Sequence, residues 1–301
     1  MKRIGFLGVT TAVCLSLAAS LAHASVIDGT VQRTHLRYSS RPALNDPALR
    51  SSAALVLDLS NSSVLYSRRS DVALPIASIT KLMTALVVME AGQPLDEMLA
   101  VSEEDRSFGK GSFSRLSPGT PLSRGDLMHL ALMASENRAA HALGRNYPGG
   151  TAACVIAMNA KARELGMTSA HFVEPTGLSE ENVASPEDLS KLVMAAAKVA
   201  AIRDYSTDSD FTVRVGRHPV RYRNTDSLVS KPDWNIVVQK TGYIHEAGRC
   251  LVMQTVIEDR PVVIVLLNSF GKRTRVADAR RVRRWVEATM VVHDAGTATT
   301  T

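Results

Sequence analysis

The sequence predicts an α+β fold, in which an antiparallel sheet is flanked by helices and an all-helical lobe is inserted. Two short β-type runs come first, a long block of helical patterns follows, and further β-type runs with a closing helix complete the chain. Because β-type runs lie on both sides of the helical block, the sheet is expected to form from both ends of the chain. A cleft between this sheet and the lobe is the natural place for a functional site.

The first part of the chain predicts a hairpin and then a series of helices. The runs "AALVLDL" and "SVLYS" flank the turn Ser60-Asn61-Ser62, which is typical of two paired strands. A helix is expected from Ser78 through Met89, with Ser78 as a capping residue. Four more helical patterns follow, two of them with N-cap residues at Ser123 and Ser185: "SRGDLMHLALM", "NRAAHALGR", "GTAACVIAMNAKARELGM" and "SPEDLSKLVMAAAKVA".

After Ala201 the pattern changes to strands, which we predict for "FTVRV", "NIVVQKTGYI", "CLVMQTVIED" and "PVVIVLLNS". A turn signal at 258–260 predicts that the last two strands pair antiparallel. The final helical run has an apolar face flanked by arginines, so a membrane-surface face is one alternative. Packing on the sheet is favoured, because an exposed sheet face needs a cover; the face comprises Val276, Val282, Trp285, Val286 and Met290.

The N-terminus has the layout of a secretory signal peptide. Lys2 and Arg3 precede an apolar stretch, and Ala22-His23-Ala24 provides small residues at a cleavage site. An uncleaved membrane anchor is the less favoured alternative. The predicted organisation is a signal peptide (1–24), an extended arm (25–50), one large folded domain (51–292) and a disordered tail (293–301).

Charge and cysteine content narrow the class of partner. The formal net charge of +6 becomes +4 without Lys2 and Arg3 (+6 − 2). In an exported protein this balance favours an anionic polymer, with at most peripheral membrane contact, and does not indicate nucleic acid. Cys154 and Cys250 lie in apolar runs, so two buried, inert thiols are favoured over a disulfide.

A Ser-x-x-Lys spacing occurs three times, and it is weak by itself. Two of the matches, Ser107/Lys110 and Ser269/Lys272, read "SFGK" and have the character of loops. Ser78/Lys81 differs because it opens a helix. A lysine in the first turn is disfavoured by the helix dipole, and the same field lowers its pKa, as a general base requires.

Two further motifs follow in order. Ser135-Glu136-Asn137 lies in a predicted break between helices, where a capping role is the ordinary alternative. Lys240-Thr241-Gly242 interrupts an apolar strand, and its glycine allows another backbone or a substrate to come close. An edge-strand lysine that blocks aggregation explains Lys240 but not its two neighbours.

The three motifs, in this order and on these elements, resemble those of the penicillin-recognising serine D,D-peptidases and serine β-lactamases. The resemblance covers about residues 50 to 290 and implies a β-lactamase/transpeptidase-like fold. The segments "GSFSRLSPGT", "AMNAKARELGMTSAHFVEPTGLS" and "KTGYIHEAGRCLVM" resemble more narrowly the D-alanyl-D-alanine endopeptidases of the penicillin-binding protein 7 type.

The resemblance implies a mechanism of serine acylation and hydrolysis on peptidoglycan stem peptides, with β-lactam antibiotics as inhibitors. Ser78 would be the nucleophile and Lys81 its base, while Ser135 relays a proton and Asn137 holds Lys81 and the substrate. The implied substrate-binding residues are Lys240, Thr241, Gly242 and Tyr243, the last through its backbone N–H. No cofactor and no metal are expected, since "HEAGR" lacks the second histidine of a zinc-peptidase motif.

Three alternatives stay open at this point. A D,D-carboxypeptidase would use the same residues, although many carry a C-terminal extension that this sequence lacks. A β-lactamase needs a carboxylate that activates water, and Glu174 only partly fits the class A pattern because Leu178 comes one residue late. A non-catalytic wall-binding protein on the same fold would not need all five of the reactive side chains, which are Ser78, Lys81, Ser135, Asn137 and Lys240.

Overall fold

The computed structural model of the chain describes residues 37–38, 46–106 and 114–297, with side chains from 46 to 289. The predicted signal peptide, most of the predicted arm, the end of the tail and the Ser107/Lys110 match lie outside the described residues. Four described strands precede the first α-helix, and the second and third of them form the predicted hairpin. The strands in chain order are β1 (Arg37–Tyr38), β2 (Ser51–Asp58), β3 (Ser63–Arg68), β4 (Leu74–Pro75), β5 (Met98–Ala100), β6 (Pro121–Ser123), β7 (Val183–Ala184), β8 (Asp210–Val215), β9 (His218–Arg223), β10 (Asn235–Ile244), β11 (Gly248–Ile257) and β12 (Arg260–Ser269). The α-helices are α1 (Thr80–Glu90), α2 (Arg124–Met133), α3 (Asn137–Arg145), α4 (Gly150–Glu164), α5 (Pro186–Ala196), α6 (Ala200–Thr207) and α7 (Thr274–Thr297).

The main sheet combines strands from both ends of the chain, as predicted. Its order is β1-β3-β2-β12-β11-β10, with antiparallel pairing throughout except for the short parallel contact of β1 with β3. At the β11–β12 turn, Glu258 and Asp259 both have positive φ, 47° and 57°. Two successive left-handed residues give a turn whose twist matches the strands, so the predicted hairpin is confirmed.

Two hydrophobic cores lie on opposite faces of this sheet. The larger one joins alternate residues of the strands to the helical lobe, in which α1 is buried on every side from Thr80 to Val88. A helix that is apolar all round belongs in a core, and here it carries the first motif through the middle of the molecule. The smaller core lies under α7.

The apolar face of α7 packs on the sheet, as the favoured interpretation predicted. Val282 and Val286 are fully buried, and Trp285 packs beside them against Tyr66. The side chain of Met290 lies outside the described residues. Among the residues that the structure describes, no helix combines the length and the apolar character needed to cross a bilayer.

The structure adds two features at 200–223 that were not predicted. Residues 200–207 form α6 and not the start of the strand region. A helix of eight residues shows too few turns for its periodicity to be recognised in the sequence. The run "FTVRV" is a strand, but β8 pairs with the unpredicted β9 in a separate two-stranded sheet. The alternate side chains of this hairpin are exposed, as at Arg214, so it has little apolar surface with which to join the main sheet.

Candidate active site

A strained turn carries Ser78 at the meeting point of sheet and lobe. Residues Ala77–Ile79 form a 3-10 turn that leads directly into α1, and Ala77 has a left-handed φ of 49°. Left-handed backbone is costly for a residue with a side chain, so the surrounding contacts must hold it in place. The prediction that Ser78 caps the helix is wrong, because the N-cap position belongs to Ile79 and no side chain caps this end.

Two glycines hold this turn by close approach of their own backbone. Gly242 of β10 lies so near that a Cβ atom there would sit 2.8 Å from the carbonyl oxygen of Ile76 and 3.3 Å from the nitrogen of Ser78. Gly177, with φ of 82°, approaches from the other side, where a Cβ would overlap the Ala77 carbonyl. The predicted role of Gly242, to allow close approach, is therefore seen in the geometry.

Lys81 is buried beneath Ser78 and meets three oxygen atoms. Its Nζ lies 2.9 Å from Ser78 Oγ, 2.8 Å from Asn137 Oδ1 and 2.5 Å from the carbonyl oxygen of Thr176. The side chain is 1% exposed. The structure thus brings together three of the predicted site residues and adds a backbone carbonyl that the sequence did not indicate.

The three oxygens can accept all three N–H groups of the Lys81 ammonium, and after loss of one proton they also suit the neutral amine. An uncharged amine has two N–H groups and one lone pair. The Asn137 and Thr176 oxygens can only accept hydrogen bonds, so they take the two N–H groups. The lone pair then faces the hydroxyl of Ser78, which can donate its proton to Lys81.

Burial shifts Lys81 towards this neutral state, although the ammonium still predominates below about pH 8. Burial lowers the pKa of the Lys81 ammonium to about 8, and the charges of Glu174 and Glu136 oppose this shift. We predicted the helix dipole as the cause of the lowered pKa, whereas burial is the largest cause. The repulsion between the two lysines is evident at Lys240, whose pKa is lowered well below its ordinary value, first by burial and then by Lys81 and Arg275.

Ser135 and Lys240 meet on the opposite wall of the site. Lys240 Nζ lies 2.9 Å from Ser135 Oγ and 3.0 Å from the carbonyl oxygen of Thr241. Ser135 has a left-handed φ of 59°, which turns the chain between α2 and α3. Asn137 is the first residue of α3 rather than part of the break, and Glu136 caps that helix through its side chain.

The hydroxyl of Thr241 is oriented by a second threonine. Thr241 Oγ1 lies 2.6 Å from Thr225 Oγ1, and the Thr225 backbone N–H donates to the carbonyl of Met133 at 3.1 Å. Next along the strand, the side chain of Tyr243 is 55% exposed. The eight predicted residues therefore line one site, between β10, α1 and the α2–α3 turn.

The loop at 174–177 is organised by Glu174. Its carboxylate accepts hydrogen bonds from the backbone N–H groups of Thr176 and Gly177, both at 2.6 Å, from the Thr176 hydroxyl at 2.6 Å and from Asn182 Nδ2 at 2.9 Å. These bonds place the Thr176 carbonyl against Lys81. Only a loose sequence pattern marks this loop, and no local signal identifies a backbone carbonyl as a hydrogen-bond partner of the lysine.

Two further positions that the sequence analysis missed lie behind β10. Arg275 donates to the carbonyl of Gly242 at 3.2 Å, and the neighbouring Asp226 is 1% exposed. Arg275 is far in sequence from the three motifs, and it is one of several arginines in α7, so nothing in the sequence distinguishes it. Within the described ranges, no group of three or more His, Cys, Asp or Glu side chains is placed to hold a metal ion.

The two cysteines of the domain are buried apart from each other. Both are free, and burial raises the pKa of the Cys154 thiol to about 12 and that of Cys250 to about 11. A thiol with so high a pKa is a poor nucleophile at neutral pH. The expectation of two buried, inert thiols is confirmed.

The fold and this geometry define a class, the hydrolases and transferases in which a buried lysine serves a serine nucleophile. The profile of a family described as D-alanyl-D-alanine carboxypeptidase, peptidase family S11, matches residues 40–271. The chain belongs to this S11 family, and the resemblance drawn from its motifs is confirmed.

Curated relatives give a consistent result. A D-alanyl-D-alanine endopeptidase of Pseudomonas aeruginosa is 50% identical over 246 residues, covering 81% of this chain and 79% of that protein. A D-alanyl-D-alanine endopeptidase of Escherichia coli is 46% identical over 250 residues, covering 82% and 81%.

Solved structures confirm the β-lactamase/transpeptidase-like fold. A D-alanyl-D-alanine carboxypeptidase of Mycobacterium tuberculosis superposes with a TM-score of 0.74 at 25% identity, covering 84% of this chain and 96% of that one. A mutant of a Streptomyces DD-transpeptidase gives a TM-score of 0.74 at 25% identity, covering 81% of this chain and all of that one. The chain is a serine D,D-peptidase of this fold.

Proposed function

We propose that this D,D-peptidase is an endopeptidase that hydrolyses D-Ala cross-links in peptidoglycan through an acyl-enzyme on Ser78, and that penicillin acylates the same serine. The observation that carries the proposal is the Lys81 amine, whose two acceptor partners leave its lone pair for Ser78. The names of the two endopeptidase relatives support the choice of cross-links as substrate.

Acylation begins at the carbonyl carbon of a D-Ala residue. Ser78 Oγ forms a bond to this carbon while its proton passes to Lys81 Nζ. The carbonyl becomes an oxyanion, which the backbone N–H groups of Ser78 and Tyr243 stabilise. Gly242 permits this arrangement, because it brings β10 against the Ser78 turn.

Collapse of the intermediate releases the amine of the neighbouring stem. Ser135 relays a proton to the leaving nitrogen, supported by Lys240 at 2.9 Å. Lys240 and Thr241 bind the carboxylate next to the scissile bond, and Asn137 holds both Lys81 and the substrate amide. Water then attacks the ester, and its proton returns through Lys81 to restore Ser78.

The principal alternative is a D,D-carboxypeptidase, which the description of the family profile favours. A β-lactamase is less well supported, because the carboxylate of Glu174 is taken up by four close hydrogen bonds within its own loop. A non-catalytic wall-binding protein has no use for a buried lysine under a serine, since burial of an amine costs stability.

The proposal includes a location. Peptidoglycan lies outside the cytoplasmic membrane, so an enzyme that cuts it must be exported, and residues 1–24 have the pattern of a signal peptide. We place the mature enzyme in the periplasm, with an arm at 25–50, a peptidase domain at 51–292 and a tail at 293–301. Its partners are stem peptides and β-lactams, with no nucleic acid and at most peripheral membrane contact.

Digestion of purified peptidoglycan tests the proposal. The wild type is expected to convert cross-linked muropeptide dimers to monomers, measured by chromatography, while Ser78→Ala leaves them intact. A fluorescent penicillin should label only the wild type. Loss of terminal D-Ala without loss of dimers would replace the endopeptidase by the carboxypeptidase, and equal labelling of both proteins would remove Ser78 as the nucleophile.

A further inference from the structure

An aromatic residue and an arginine form a pair at the mouth of the site. Tyr243 of β10 lies directly opposite Arg249 of β11 in the antiparallel register. The guanidinium carbon of Arg249 is 4.5 Å from the centre of the Tyr243 ring, a cation–π contact, and the ring is 55% exposed. The contact fixes the guanidinium plane beside solvent, next to the strand that lines the cleft.

Arg249 has no ion pair among the described residues, unlike Arg145, Arg221 and Arg283 elsewhere on the surface. Arg249 lies close to a second cation, Arg275. The pKa of Arg275 is lowered first by burial and then by the charge of Arg249. Like charges held close together are unfavourable in the free protein, and Asp226 offsets the effect at Arg275 only in part, since the pKa of Arg275 is still lowered. An arriving anion relieves that repulsion.

The order of groups along β10 shows which part of a substrate would reach this pair. This step rests on the proposed function, in which Lys240 and Thr241 take the carboxylate beyond the scissile bond. Gly242 lies beside the backbone of Ser78, so the substrate carbonyl that Ser78 attacks would lie next to Gly242. Since a strand advances about 3.3 Å per residue, the donor stem continues past Tyr243, away from Lys240.

We propose that Arg249 and Tyr243 form an anion subsite that binds a carboxylate of the donor stem, on the N-terminal side of the D-Ala under attack. Arginine suits this task because its planar fork can give two parallel hydrogen bonds to one carboxylate. The ring of Tyr243 holds the fork in place. The enzyme therefore prefers donor stems with a free carboxylate over stems in which that group is amidated.

Two penicillins test the subsite, because carbenicillin differs from benzylpenicillin by one carboxylate on the side chain that takes the place of the donor stem. The measurement is the ratio of their second-order acylation rates on the full chain. Arg249→Gln is expected to lower the carbenicillin-to-benzylpenicillin ratio roughly threefold to fivefold, the size of a half-exposed charge pair. Benzylpenicillin itself should react at nearly the wild-type rate.

Arg217→Gln is the matched control, since it removes the same charge from an exposed turn between β8 and β9. It should leave the ratio unchanged. Arg249→Met is a second uncharged variant, which keeps an unbranched side chain on the Tyr243 ring should the glutamine variant fail to fold.

An unchanged ratio in the folded Arg249 variants, or an equal fall in Arg217→Gln, would overturn the subsite and leave the acyl-enzyme proposal standing. Absence of Ser78-dependent labelling by either penicillin would overturn both. A parallel assay supports the same inference: wild-type KM should rise when the donor carboxylate of a synthetic stem peptide is converted to the carboxamide, and this rise should shrink in Arg249→Gln.

Discussion

Lys81 combines complete burial with a full set of oxygen partners. A buried ammonium is expensive, and the cost is reduced when the group loses its proton. The asparagine side chain and the Thr176 carbonyl direct the remaining N–H bonds, so deprotonation also orients the lone pair. The burial that destabilises the charged form of Lys81 is therefore what would let it act as a base in the proposed mechanism.

The pH dependence of acylation follows from this residue. With a pKa of about 8, Lys81 is protonated below that pH and cannot accept the Ser78 proton. The acylation rate with benzylpenicillin should therefore rise through about pH 8 and level off above it. Glu136→Gln removes a negative charge that raises the Lys81 pKa, so its midpoint should shift to lower pH. An identical midpoint in both proteins would show that the charge of Glu136 does not affect the group that controls acylation.

At the scale of elements, the Ser78 turn is clamped between β10 and the loop at 174–177. Each side contributes one glycine whose missing Cβ makes the contact possible. The left-handed Ala77 between them is kept in place by this clamp. The position of Ser78 is thus set by three chain segments and not by α1 alone.

Gly242→Ala tests the clamp. The new Cβ would sit 2.8 Å from a backbone oxygen, which cannot move aside as a flexible side chain does. A displacement of the order of 1 Å at a reacting group can lower the rate roughly 100-fold, and we expect a fall of that order in penicillin acylation.

Gly119→Ala is the control for Gly242→Ala, because Gly119 has φ of 82° and open space around it. Its substitution should lower thermal stability through backbone strain while acylation stays near the wild-type rate. Full activity in Gly242→Ala would show that β10 does not position the turn.

At the scale of the whole molecule, a buried carboxylate joins the two ends of the domain. Asp278 of α7 accepts hydrogen bonds from the backbone N–H of Ser51 at 2.7 Å, from its hydroxyl at 2.6 Å and from the N–H of Arg50 at 3.1 Å. Ser51 begins β2, so one side chain ties the closing helix to the first long strand.

Asp278→Ala should destabilise the protein by about 3 kcal/mol, because it leaves buried donors without partners. Urea unfolding at neutral pH measures the change. Glu287→Ala on the same helix removes a half-exposed ion pair with Arg283 and should cost less than about 1 kcal/mol. Similar midpoints for the two variants would mean that the carboxylate does not join the ends.

The local patterns of the chain were sufficient for much of this structure. Period-two runs predicted the long strands of the main sheet, and the order of strands and helices predicted its assembly from both ends. The α6 helix was not predicted because eight residues span too few turns to show a helical pattern. The pairing of β8 with β9 was not predicted because pairing partners depend on surface that a single strand does not reveal.

The motifs indicated which side chains lie together, because those side chains stand at fixed spacing in the sequence. Ser78, Lys81, Ser135 and Lys240 meet as their motifs indicated. Backbone contributions were not predictable, because any residue carries a carbonyl like that of Thr176 and no sequence signal marks Ala77 as left-handed. Arg275 was missed for another reason, since its contact with Gly242 spans distant parts of the sequence.

The pairing of β2 with β12 has a consequence for when the enzyme becomes active. Asp58 pairs with Val262, 204 positions later (262 − 58), and β10 is connected to β2 only through β11 and β12. Closure of so long a loop is slow, and it cannot occur before the last strand has been synthesised. A growing or truncated chain carries Ser78 and Lys81 but has no surface on which to hold Lys240 opposite Ser135. The complete site therefore forms late, when the finished chain closes its sheet.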